Sequence, residues 1–260
     1  MNFADATAVT SAGPGRYRAV VDESWQVQRG PNGGYLAALL LRALTAAVGD
    51  AARSPRSLTV HYLAPPDPGP VEVDVVVERS GRSVVSLSAR MVQTDRLVAL
   101  ALAAFSSPWP GPELVEATMP AVPPYERTAA EEALDGPPFR AHFEQRPVMG
   151  APPLSGADTS LSGGWIRLRE DLPVDHLVVA ALTDAWLPTI FSRLSVPADA
   201  PTIDLTIHFR SPPPLRPEPC LVVFRSWLAT EGFFDEEGEV WSQDGSLLAQ
   251  SRQLALVRSS

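Results

Sequence analysis

At 260 residues, with 45% hydrophobic and 20% charged content, the chain has a globular composition and core enough for one large domain or two ordinary ones. Its formal net charge of −9 argues against a broad nucleic-acid footprint, so an anionic ligand must find a local cluster of arginines. All 21 basic residues are arginine, which excludes a Schiff-base lysine and the lysine of a phosphate-binding P-loop.

Apolar runs stay short of the roughly 18 residues of a membrane span, and the first residues lack the charged start and apolar stretch of a signal peptide, so a cytoplasmic protein with no membrane partner is expected. The single cysteine, Cys220 in CLVVF, reads as a small core residue rather than a nucleophile. His61, His142, His176 and His208 have no metal-ligand spacing, and no G-x-S-x-G elbow is present. The chemistry therefore falls to Asp, Glu, Thr, Ser, Gln and backbone groups, with no metal expected.

In chain order, Arg16 to Asp22 reads as a first strand, and the loop WQVQRGPNGG opens into an apolar helix from about Gly34 to Val48. Four strand-like runs follow: Ser57 to Ala64, Val71 to Arg79, Ser83 to Thr94 and Leu97 to Phe105. Residues 107–156 hold eleven of the 27 prolines and read as a linker, in which FRAHFEQRPV (Phe139 to Val148) could supply a strand. Beyond it, Gly164 to Arg169 is strand-like, and His176 to Phe191 predicts a helix apolar on every side. The strand runs Thr202 to Arg210, Cys220 to Ala229, Phe234 to Ser242 and Leu247 to Val257 close the chain.

The second half repeats the first. His61-Tyr62 and His208-Phe209 each precede a Pro-Pro pair, Pro65-Pro66 and Pro212-Pro213, at an offset of 208 − 61 = 147. A long helix with an antiparallel meander, duplicated in tandem, is an α+β double hot-dog. The units are residues 1–106 and 157–260, joined by 107–156. Such units bury sheet edges and helix faces against one another, so a homo-oligomer, a dimer or larger, is expected.

Within the second helix, HLVVAALTDAWLPTIF, a single carboxylate sits among apolar neighbours: Asp184. Burying a carboxylate costs several kcal/mol unless partners are supplied. Asp184 is therefore either a structural residue bonded to a neighbouring strand or an active-site carboxylate. Comparison of the two halves sets Leu41 opposite Asp184, Pro55 opposite Thr202, and Ala103 or Ala104 opposite Gln253, so polar groups stand in the second copy where the first is apolar. Alternation turns Gln253 inward, where a buried amide needs a partner. The same alternation puts Thr202 on the polar face of its strand, away from Asp184 unless the strand start is twisted.

The segments LTDAWLP, PTIDLTIHFRSP and AQSRQLALV resemble the acyl-CoA thioesterase II family of double hot-dog hydrolases over nearly the whole chain. That resemblance implies a small-molecule acyl-CoA substrate, coenzyme A as part of the substrate rather than a cofactor, and a water held and activated by Asp184, Thr202 and Gln253. Gly33 and Gly34, opening the first helix, could offer uncovered N–H groups to an oxyanion, or could simply be a turn that lets the chain enter the helix. Two other readings remain: a hot-dog hydratase or dehydratase, though His176 lacks the G-D-x-N-P-x-H surroundings of the hydratases, and a non-catalytic acyl-CoA-binding module.

Overall fold

The computed structural model describes residues 1–131 and 136–259. A one-turn helix α1 (Phe3–Ala6) and a short strand β1 (Thr10–Gly13), both absent from the sequence reading, precede β2 (Arg16–Val21). Then come α2 (Gly33–Val48), β3 (Ser54–Tyr62), β4 (Gly69–Ser80), β5 (Val84–Gln93) and β6 (Arg96–Ser106). The second half supplies β7 (Phe143–Gly150), β8 (Leu161–Leu168), α3 (His176–Leu182), β9 (Ala198–Asp199), β10 (Thr202–Phe209) and β11 (Cys220–Arg225). Four strands end the chain: β12 (Ala229–Thr230), β13 (Phe233–Trp241), β14 (Leu247–Leu256) and β15 (Arg258–Ser259).

Twelve strands run in one continuous antiparallel sheet in the order β1-β2-β4-β5-β6-β3-β10-β14-β13-β11-β8-β7, with β12 added beside β13, while β9 and β15 pair in a small sheet of their own. Outward from the β3–β10 seam the two halves match, β3-β6-β5-β4-β2 against β10-β14-β13-β11-β8. At the seam Thr206 pairs with Thr59, and their hydroxyls meet at 3.1 Å across a sequence separation of 147. Residues at the repeat offset thus bond to each other, as residues on a two-fold axis do.

Helix α2 is buried on nearly every side, from Gly34 to Leu41 and at Ala43 and Leu44, as a predominantly apolar helix must be. It lies on β3 to β6 and against α3. Asn32 caps its start by accepting from the Tyr35 N–H, and Gly49 ends it in the left-handed conformation (φ 61°). Strand alternation sends Val85, Leu87, Ala89 and Met91 of β5 inward beneath it.

The second helix is shorter than the sequence predicts. Instead of running to Phe191, α3 stops at Leu182, and a separate 3₁₀ turn covers Thr189–Ser192. Pro188 has no N–H for the Asp184 carbonyl and disfavours helical geometry at Leu187. The carbonyls released at the helix end find side-chain donors instead: Asn32 Nδ2 reaches Asp184 O at 2.7 Å, and Gln145 Nε2 reaches Ala185 O at 2.8 Å. Asp184 consequently sits just beyond a helix end rather than in mid-helix.

Much of the proline-rich stretch is irregular, and residues 132–135 lie outside the described residues. It crosses the outer face of the C-terminal strands, where Met119, Val122 and Tyr125 pack on Trp165, Leu221 and Trp241, and Trp165 Nε1 donates to Pro123 O at 2.8 Å. Its FRAHFEQRPV segment does supply a strand, β7.

Candidate active site

The C-terminal end of α3 meets the N-terminal end of α2 at a contact only glycine allows. A Cβ on Gly34 would lie 2.5 Å from Ala181 O and 3.1 Å from Asp184 Cβ, and one on Gly33 would lie 2.9 Å from Asp184 Oδ2. This approach delivers the Asp184 carboxylate to the positive end of the α2 dipole. Its Oδ2 accepts from Gly34 N–H at 3.0 Å and from Asn32 Nδ2 at 3.1 Å, and the Gly33 backbone also favours its charged form. The Gly34 N–H is therefore not uncovered, as an open oxyanion site would need; the carboxylate is the anion it holds. Gly34→Ala should cost about 1–3 kcal/mol of stability by overpacking, read by thermal unfolding, even though alanine is the better helix former elsewhere. A native melting temperature would show that the two helices part easily.

Gln253 on β14 and Thr202 at the start of β10 join this carboxylate. The Thr202 hydroxyl donates to Gln253 Oε1 at 3.0 Å, and the Gln253 amide favours the charged form of Asp184. Strict alternation would have turned Thr202 away. A bulge corrects it: Thr202 pairs with Ala255 and Leu205 with Gln253, so three steps along β10 match two along β14. Thr202 thereby shares the face of Gln253. Asp184, Thr202, Gln253, Gly33 and Gly34, named from sequence, thus form one cluster.

Four further residues complete it. Asn32, 4% exposed, contributes an amide that binds Asp184 twice. Tyr62 Oη donates to Gly33 O at 2.7 Å and fixes the glycine turn. Glu236 on β13, 4% exposed, accepts from Gln253 Nε2 at 2.8 Å. Thr189 holds Glu236 with its N–H at 2.6 Å and its hydroxyl at 2.8 Å. Two of these left a sequence signal: Asn32 directly precedes the Gly-Gly helix start, and period-two alternation groups Glu236 with Phe234, Gly238 and Val240 on the inward face.

Asp184 keeps a small opening to solvent, yet the surrounding protein strips most of its water. Desolvation pushes its pKa from an ordinary 3.8 up to about 6, against the opposing hydrogen bonds from Gly34, Gln253, Gly33 and Asn32. Glu236 is pushed from 4.5 to about 7, by burial first and by the Asp184 charge in addition, with Thr189 and Gln253 opposing. Burial and the charges of Asp184 and Asp204 raise the Tyr62 phenol well above its ordinary value, so it stays a neutral donor. A carboxylate poised near 6 with an opening beside it can take a proton from water at neutral pH.

The histidines, the cysteine and two tryptophans have different settings. His61 and His208 are exposed on their strands. Trp25 is fully buried, stacked 3.9 Å from the His142 ring, whereas Trp227 is 66% exposed. Cys220 is fully buried with its thiol pushed up to about 12, which rules it out as a nucleophile.

A carboxylate at the junction of two helices, under an antiparallel sheet, sits in a fold of the hot-dog class. The chain belongs to the acyl-CoA thioesterase family: residues 21–106 match the family's N-terminal domain model and residues 117–257 its C-terminal domain model. It is a thioester hydrolase. Among solved structures it resembles a hot-dog-fold protein of Alicyclobacillus acidocaldarius, at 29% identity and TM-score 0.93 over 99% of this chain and 98% of that one. A candidate thioesterase II of Thermobifida fusca follows at 28% identity and TM-score 0.84, with 99% and 97% covered. The fold is also that of an acyl-CoA thioesterase II of Mycobacterium marinum, at 22% identity and TM-score 0.80 over 99% and 98%.

Proposed function

We propose that the chain hydrolyses an acyl-CoA thioester to the free acid and coenzyme A, with Asp184 as general base. Asp184 takes a proton from a water that Gln253 and Thr202 hold in place, and the resulting hydroxide attacks the thioester carbonyl carbon. The tetrahedral intermediate collapses by breaking the C–S bond, and the departing thiolate recovers the proton from Asp184. Gly33 and Gly34 enter through this proton transfer: a protonated Asp184 accepts hydrogen bonds less strongly, which frees their N–H groups for the oxyanion as it forms. The observation that carries the reading is the Asp184 carboxylate, held at the α2 N-terminus and poised near pH 6.

The architecture we infer is a tandem hot-dog, residues 1–106 and 157–260 about the Thr59–Thr206 axis, with 107–156 as the connection and β7 added to the second unit. Exposed Val76, Val77, Val84 and Leu102 on the first unit's strands support assembly into a homo-oligomer. Among the described residues no helix is long and apolar enough to cross a membrane, and we read the protein as cytoplasmic, acting without a metal or redox cofactor. A hydratase reading needs His176 beside a free acid, but the acid next to it, Asp175, caps α3 by accepting from the Leu177 and Val178 N–H groups at 2.9 Å.

The test is thiol release from short, medium, long and aromatic acyl-CoAs. Turnover of at least one, with one free thiol per acid formed, is the expected result and names the acyl class. Binding without thiol release from any of them would transfer the site to the acyl-binding reading.

A further inference from the structure

The cluster contains a second carboxylate to which the hydrolysis described above gives no task. Glu236 faces inward from β13, while its neighbours Asp235 and Glu237 face outward and share Arg252 at 3.1 and 3.6 Å. Among the described residues Glu236 has no cation partner. Its Oε2 accepts the Thr189 N–H and hydroxyl, its Oε1 accepts Gln253 Nε2, and the Thr189 hydroxyl in turn bonds to Ser226 Oγ at 2.7 Å. Glu236 and Gln253 are direct partners in the β13–β14 register, so the sheet itself sets this contact.

A glutamine amide has one accepting and one donating end of nearly the same shape, and its neighbours decide which way round it sits. Gln253 Oε1 receives the Thr202 hydroxyl, its Nε2 donates to Glu236, and the same amide helps to hold the Asp184 charge. The Thr189 donor is a main-chain N–H, which cannot reverse its polarity. We propose that Glu236 is a positioning residue for the hydrolysis, holding the Gln253 amide with its Nε2 toward Asp184 and its Oε1 toward Thr202. The proposal rests on Asp184 being the base.

Glu236→Gln exposes the mechanism. The Thr189 donors claim the carbonyl oxygen of the new amide, which leaves its NH2 group facing Gln253. Gln253 must then turn around, directing oxygen at the Asp184 carboxylate and nitrogen at the Thr202 hydroxyl. Protonation of Glu236 at Oε1 has the same consequence, because an acid O–H there donates to Gln253 instead of accepting. The titratable groups in the cluster are Asp184, Glu236 and Tyr62, with Asp204 felt at Tyr62. Tyr62 stays neutral through the relevant range, so both carboxylates must lose protons to give the active arrangement. The two titrate as a coupled pair.

The experiment compares native protein, Glu236→Gln and Asp184→Asn in steady-state thiol release on the best acyl-CoA of the panel, across pH, with thermal unfolding to confirm folding. For Glu236→Gln we expect kcat lower by about 10- to 100-fold, the range for loss of a group that orients a catalytic side chain, with KM within about threefold. The acid limb of log kcat/KM against pH should fall from a slope of about two in the native protein to about one. Native kcat with an unchanged slope in Glu236→Gln, alongside an inactive Asp184→Asn, overturns the role of Glu236 and leaves Asp184 as base. Full activity in Asp184→Asn overturns both. Should Glu236→Gln not fold, Thr189→Val removes the hydroxyl donor and keeps the N–H. It should move the acid limb to higher pH, and an unmoved limb counts against the proposal.

Discussion

Asp184→Asn should lower kcat for acyl-CoA hydrolysis by about 10²- to 10⁴-fold, the usual contribution of a general base, with KM changed only a few-fold. Asparagine preserves the shape and the acceptor for Gly34 N–H but cannot take a proton from water. The native rate should rise with pH through the range set by the coupled Asp184 and Glu236 carboxylates, near 6 and 7, and then level off. The same substitution should stabilise the fold. A carboxyl whose folded pKa stands above its unfolded value contributes stability that is complete below the unfolded pKa and is lost as pH rises through the folded one. For Asp184 that window runs from 3.8 to about 6. Above it the native protein carries an ionised, desolvated carboxylate that the variant lacks. Thermal unfolding should therefore find the variant more stable by about 1–3 kcal/mol at about pH 8, with a smaller margin at about pH 4.5. A variant with the native rate would remove Asp184 from the chemistry, and a margin that ignored pH would show that the carboxylate is not desolvated.

Such a trade of stability for function helps to explain which parts of the molecule are legible in one sequence. The strands are legible because burial on one face writes a period of two into the chain: Val85, Leu87, Ala89 and Met91 point in while their neighbours point out. Helix α2 is legible from its apolar run between a Gly-Gly start and Gly49, interrupted only by Arg42 and Thr45. The repeat is legible because two copies of the Pro-Pro turn survive at one offset, and it led to Asp184 and Gln253 as places where apolar residues had become polar. What the pattern does not carry is contact between distant segments. Asn32 and Asp184 are 152 residues apart, and only the packing of α3 onto α2 shows that one amide binds both the carboxylate and the carbonyl of Asp184. Glu236 stands in FFDEEGEVW among acids that are mostly solvated, and its register with Gln253 singles it out. The Thr202 bulge breaks the alternation by which its face was read. The helix reading ran past Leu182 because apolar residues continue to Phe191, whereas the backbone obeys Pro188.

Asn32→Ala should be among the most destabilising single changes in the cluster, by about 2–4 kcal/mol. It removes the cap of α2, worth about 1 kcal/mol, and leaves the Asp184 carbonyl without a partner, at about 1–3 kcal/mol for a buried polar group. Chemical denaturation measures the total, and a loss under about 1 kcal/mol would mean that water replaces the amide. Asn32→Asp separates the two duties of the residue. Aspartate keeps the acceptor for Tyr35 N–H and is as good a cap, so α2 should hold. It supplies no donor to Asp184 and sets a second negative charge against it, and both changes favour the protonated form of Asp184. The acid limb of the rate profile should accordingly move to higher pH in Asn32→Asp, with little rate lost once both carboxylates ionise. An unmoved acid limb in that variant, together with a destabilised Asn32→Ala, would make Asn32 a helix cap alone and leave the base to be tuned by the glycine N–H groups and Gln253.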